Sequence, residues 1–134
     1  MRETYYDDKT WVARNLWRLA FVVVLALIIL VWNIYVANNN DGYLRGVVLN
    51  QEGQPVEGAR VELQEKTINL LKQPIVTTSG EDGRFEYRDI FMIEFVISAR
   101  REGVGRAERQ HHHLYFEGQN YTLDEPLVLE PAEK

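Results

Sequence analysis

From Leu19 to Val36 the chain runs LAFVVVLALIILVWNIYV, eighteen residues with no charge and one polar side chain, Asn33. A helix of that length rises about 27 Å, close to the hydrocarbon thickness of a bilayer. The pattern therefore predicts a membrane span. After Tyr43 the pattern changes to short β-type runs: Tyr43–Leu49, Ala59–Gln64, Ile75–Ser79, Arg84–Tyr87, Glu94–Arg100 and Leu127–Leu129. Several alternate. Val61 and Leu63 stand against Arg60, Glu62 and Gln64, and Phe85 and Tyr87 against Arg84 and Glu86, which puts one face of each run in a core. Such runs, broken by Gly, Pro, Asn and Asp, predict an antiparallel β-sandwich. The segment Thr67–Gln73 reads as helix or loop, and Asp82-Gly83 as a hairpin turn between Thr77/Thr78 and Phe85.

Composition sharpens the division. All nine Gly and all four Pro lie at or beyond Gly42, and all three Trp between Trp11 and Trp32. The expected organisation is a cytoplasmic amino terminus and signal-anchor helix over residues 1–37, a linker over 38–42 (Asn38 to Gly42), and one β domain over 43–134. Residues 1–37 carry four Lys/Arg against three Asp/Glu, and residues 38–134 eleven against seventeen. An acidic domain repels phosphate backbones, so no nucleic acid partner is expected. The absence of cysteine excludes disulfides, thiolate metal sites and a cysteine nucleophile.

Arg2, Lys9, Arg14 and Arg18 precede the span, and Arg45 alone follows it within about 20 residues, which predicts a cytoplasmic amino terminus. Cleavage after Ala37 would place bulky Tyr35 where a small residue is needed, so the anchor is expected to stay attached. Thr10, with Asp7 and Asp8 near it, is a candidate cap for a helix starting at Trp11. Trp11, Arg14, Trp17 and Arg18 on one side and Trp32 with Tyr35 on the other are the expected membrane anchors. Asn33 is a candidate helix-to-helix contact. With no His, Asp, Glu, Lys or Arg in the span, no proton relay or haem ligand is expected there.

The residues Gly46-Val47-Val48, Glu52-Gly53-Gln54-Pro55-Val56-Glu57-Gly58-Ala59-Arg60-Val61, Thr77-Thr78 and Asp82-Gly83-Arg84-Phe85 resemble the carboxypeptidase regulatory-like domain. The resemblance covers residues 43–103 and implies an all-β Greek-key sandwich of the transthyretin (prealbumin-like) kind, with about seven strands, behind one transmembrane α-helix. Where that family has Pro-Gly-x-Tyr, this chain has Phe91-Met92-Ile93-Glu94-Phe95, keeping the aromatic and losing the glycine turn. The resemblance transfers no catalytic motif, so no enzymatic activity and no cofactor are expected.

Two clusters stand out beyond the fold. His111, His112 and His113 are the only histidines; on a strand His111 and His113 would share a face with Arg109 and Tyr115, where Glu108 or Glu117 could complete a divalent site, but the run reads first as a solvated or partner-facing loop and no metal is expected. Arg100, Arg101, Arg106 and Arg109 alternate with Glu102 and Glu108, which reads as a salt-bridged strand surface in preference to an anion site. Taken together, the sequence predicts a non-catalytic, single-pass accessory subunit of the bacterial inner membrane. Its partners would be the lipid bilayer and a larger integral membrane complex, respiratory or photosynthetic, capped on the periplasmic side. The alternative is a tethered binding module for glycan, peptide or cell-wall polymer using Tyr87, Phe91, Tyr115, Phe116 and Tyr121.

Overall fold

The structure, a computed structural model, describes residues 8–131. Arg2 and Asp7, used above for orientation and capping, lie outside the described residues. The chain divides between Asn38 and Asn39 into two compact units.

The first unit is a single helix, α1 (Asp8–Asn38, 31 residues), about 46 Å long. It already runs from Asp8, so Thr10 sits within the helix and does not begin it. Its Leu, Ile, Val and Phe side chains are exposed on every side, with no polar stripe to separate a wet from a dry face. Among the described residues it is the one helix long and apolar enough to cross a membrane.

The second unit is nearly all β: β1 (Leu44–Asn50), β2 (Arg60–Glu65), β3 (Ile75–Thr78), β4 (Arg84–Tyr87), β5 (Glu94–Arg101), β6 (Gly105–Ala107), β7 (Gln110–His113), β8 (Tyr121–Thr122) and β9 (Leu127–Glu130). The strands form one curled sheet in the order β3-β2-β5-β6-β9-β1-β4, with β7 beside β5 and β8 beside β1. Six strands fall where the sequence pattern puts them. Leu44 and Val48 of β1, Val61 and Leu63 of β2, Phe95, Ile97 and Ala99 of β5, and Leu127 and Leu129 of β9 all point into one hydrophobic core. Each large aliphatic side chain so buried contributes about 1.5–3 kcal/mol.

The Asp82-Gly83 turn forms but makes no hairpin. β3 pairs with β2 and β4 pairs with β1, so the turn carries the chain from one end of the strand order to the other. Gly83 has φ of 74°, and a Cβ there would lie 2.5 Å from the Val48 carbonyl oxygen, so no other residue fits the turn without displacing β1. Pairing is decided by which strands share the core, and Asp-Gly supplies only the reversal. Tyr87 then closes the curl: from β4 its hydroxyl donates to the Val61 carbonyl of β2 at 2.8 Å and lies 3.0 Å from the Ile75 carbonyl of β3. Burial of that phenol, ahead of every other influence, raises its pKa far above the usual tyrosine range. Ser79, the buried polar side chain of the core, is satisfied in both directions, accepting from Ala59 N at 2.9 Å and donating to the Val56 carbonyl at 2.6 Å.

Thr67–Gln73 is an irregular loop, closed by Lys66 pairing with Leu71. The stretch expected as a linker is also ordered on its carboxyl side: Asn38 ends the helix, and Asn39–Tyr43 is stitched to the β unit by Asn120. The Asn120 side-chain oxygen accepts from the backbone of Asp41 (3.0 Å) and Tyr43 (3.2 Å), its backbone N–H donates to the Asn39 carbonyl (2.8 Å), and Gly42 N donates to the Gly118 carbonyl (2.9 Å).

Candidate functional site

The register of β2, β5 and β6 sets three arginines side by side. Arg60 pairs with Arg100, and Arg100 pairs with Arg106, so the three form a row across adjacent strands on the outer face of the sheet. Like charges directly opposite one another destabilise a sheet. Glu62 offsets part of this: its carboxylate accepts from Arg60 Nε at 3.0 Å and lies 3.6 Å from an Arg100 Nη. Among the described residues neither Arg106 nor Arg109 is ion-paired. The expected partners Glu102 and Glu108 are not the ones used; the carboxylate that meets the row is Glu62, two residues along the same strand as Arg60.

A surface cleft of about 700 Å³ opens beside this row, walled by Arg60, Arg100, Arg101 and Arg106 and floored by the Gly103–Gly105 turn. Arg101 is held in place by donating to the Gly58 carbonyl at 3.0 Å. Gly58, at φ 72°, has no Cβ to obstruct it; a Cβ would stand 2.7 Å from the guanidinium. A smaller cleft next to it is lined by Arg60, Arg100, Arg106 and Arg109 together with Glu62 and Ser98. In a domain with excess acid, this is a concentrated field of forked donors, suited to carboxylate or phosphate oxygens.

The histidine run divides by strand alternation. His111 and His113 are exposed and share a face as expected, while His112 turns inward against Phe95 (ring centroids 5.4 Å) and Tyr121 (5.4 Å). His111 Nε2 lies 2.5 Å from the Glu94 carboxylate, which also takes Lys66 at 3.2 Å. Hydrogen bonding from Lys66, with His111 adding to it, holds Glu94 below the usual glutamate range. Burial lowers the pKa of His112. The acid beside His111 is thus Glu94, not Glu108 or Glu117, and among the described residues no three His, Asp or Glu side chains converge as a metal site.

On the helix, Trp11, Trp17, Trp32 and Tyr35 are all exposed. Arg18 lies over the Trp17 ring at 5.7 Å, and Trp32 packs on Tyr35 at 5.9 Å. Arg14 is exposed, and Asn33 donates to the Ile29 carbonyl of its own helix at 2.8 Å. Of the aromatic side chains considered for a binding face, Tyr87 is in the core and Tyr121 is partly buried, whereas Phe91 and Tyr115 are exposed.

No known family's sequence pattern matches the chain, and no curated protein matches it. Among solved structures, the dioxygenase domain of a dioxygenase and carbohydrate-binding protein fusion from the cellulolytic bacterium Streptomyces sp. SirexAA-E is similar, with a TM-score of 0.50 and 14% identity over 67% of this chain and 79% of that one. A variant of catechol 1,2-dioxygenase from Acinetobacter radioresistens also aligns, with a TM-score of 0.50 and 10% identity over 71% of this chain. The chain spans 54% of that enzyme's length. The likeness is one of fold. It corrects the expectation that the chain is no enzyme. That expectation rested on resemblance to a module without catalytic residues, yet a dioxygenase domain of similar extent is built on this fold.

Proposed function

We propose that the chain is a single-pass accessory subunit of the bacterial inner membrane, amino terminus cytoplasmic, whose β unit is a transthyretin-like Greek-key sandwich related to carboxypeptidase regulatory-like domains. On the periplasmic side the β unit docks on a larger membrane protein complex through the arginine face of β2, β5 and β6. The observation that carries this reading is the row Arg60, Arg100 and Arg106 beside an open cleft, only partly offset by Glu62. The row adds nothing to the core and costs the sheet repulsion, whereas an acidic partner surface would offset both. A respiratory or photosynthetic complex is the first host to test.

The experiment is native purification from membranes with crosslinking. The expected result is co-migration with a larger assembly, lost in the doubly reversed variant Arg100→Glu/Arg106→Glu and weakened by rising salt. Migration of the wild-type chain as a free monomer would sink the proposal. A tethered binding module is the second reading, favoured by the cleft itself, whose size and forked donors suit an acidic sugar or cell-wall polymer. Binding of an anionic polymer by the monomeric chain in detergent would select it.

A further inference from the structure

The loops of the β unit are sorted by character between its two ends. β1 and β5 run in the same direction, so the loops entering them share an end. Direct bonds tie that end together: Ile90 N donates to the Gly42 carbonyl, Leu114 N to the Ile93 carbonyl, and Lys66 N to the Glu94 carbonyl. The tether Asn39–Tyr43, the loop 66–74, the loop 88–93 and the segment 114–120 therefore sit together. Gly118 lies directly beneath the Phe91 ring and beside Asn40.

This end exposes large apolar side chains with no structural use. Ile68 is fully exposed, Tyr115 83%, Leu70 66% and Phe91 56%, with Leu71 and Ile93 at 41%. Among the described residues the loops of the opposite end, 51–59, 79–83 and 102–104, expose Val104 alone of this class. Charge is sorted too. The opposite-end loops carry Glu52, Glu57, Glu81, Asp82 and Glu102 with no Lys or Arg, while the tether-end segments balance Lys66, Lys72 and Arg88 against Asp41, Asp89 and Glu117, with Lys66 paired to Glu94 and Lys72 to Glu65.

We infer that the tether end of the β unit rests on the bilayer, with Ile68, Leu70, Phe91 and Tyr115 in the headgroup and acyl boundary and Lys66 and Lys72 at phosphate level. The inference rests on reading α1 as a membrane span. Five residues, Asn39–Tyr43, lead from the helix to β1, and five residues reach at most about 18 Å, so this end stays close to the interfacial zone. Apolar side chains held there lose their contact with water, and aromatic rings and lysine stems favour that depth. The carboxylates of the opposite end stay farthest from anionic headgroups.

The test uses the full chain, which has no cysteine, carrying single substitutions Ile68→Cys, Tyr115→Cys, Glu81→Cys or Leu25→Cys labelled with a nitrobenzoxadiazole fluorophore. Each is reconstituted in vesicles of phosphatidylcholine and phosphatidylglycerol with spin-labelled lipids as quenchers. All four positions are exposed, so the label leaves the core intact. The expected result is deep quenching at Leu25, at least about twofold quenching by shallow quenchers at Ile68 and Tyr115, and none at Glu81. Quenching at Leu25 with Ile68 and Tyr115 behaving like Glu81 would overturn the inference while leaving the span in place. Quenching at all four positions would overturn the sorting of the two ends. Absence of quenching at Leu25 would overturn the span and the inference with it.

Discussion

Leu27 and Leu63 are the same side chain in two units of opposite pattern. In α1, Leu27 is 54% exposed with apolar neighbours all round; in β2, Leu63 has no exposed surface and faces a core built by five other strands. The sheet unit alternates because water bounds one of its faces, and α1 has no such alternation, the pattern that the proposed membrane span calls for. A helix with this composition is satisfied internally along its backbone and needs nothing from its surroundings except the absence of water. The sheet needs its partners strand by strand.

The contrast can be broken at either member. The largest effect is expected from Phe95→Ala, which empties the centre of the core beneath His112 and Tyr121; the β unit should lose about 3–5 kcal/mol, read by denaturant unfolding of the purified chain, with α1 unaffected by circular dichroism. Next is Leu27→Arg, which should cost about 2.5–3.5 kcal/mol of membrane insertion while leaving the unfolding midpoint of the β unit unchanged; extraction of the chain by alkaline carbonate checks it. Tyr87→Phe should cost about 1–2 kcal/mol, because it leaves the Val61 carbonyl without the phenol that bridges the ends of the sheet.

The smallest effect concerns His112. Burial holds its pKa below 6.5 in the folded state, so the unfolded chain binds the proton more readily. Stability should be at its full value above about pH 6.5 and fall as the pH drops through the window between the unfolded and the lower folded pKa. His112→Gln should flatten that window, as seen in melting temperature against pH.

The sequence pattern found five strands whose inward residues are Leu, Val, Ile, Phe, Tyr and Ala, and β3 by its β-branched run alone, since its Ile75 and Val76 stay exposed. It passed over β6, β7 and β8, because Gly-Arg-Ala, Gln-His-His-His and Tyr-Thr hold their places by pairing with β5, β9 and β1 and hold few apolar groups. Pairing across the chain leaves no local pattern. The same holds for the arginine row: Arg100 and Arg106 were visible as a cluster, but Arg60 joins them from 40 residues away through the β2 to β5 register. Asn120 was invisible for the same reason, since nothing near it announces that its amide will anchor Asp41 and Tyr43. The apolar helix, which depends only on neighbours in sequence, was legible from Leu19 to Val36, though its start at Asp8 was not.

The closure of the sheet by Tyr87 bears on where the β unit can mature. In many exported domains two distant strands are joined by a disulfide and wait for an oxidant. Here the strands at the two ends are joined by one phenol and two carbonyl groups, in a chain without a single cysteine. Such a link has no reduction potential. The β unit is expected to reach the same stability in a reducing compartment as in an oxidising one, and its assembly needs neither an oxidase nor an isomerase on either side of a membrane.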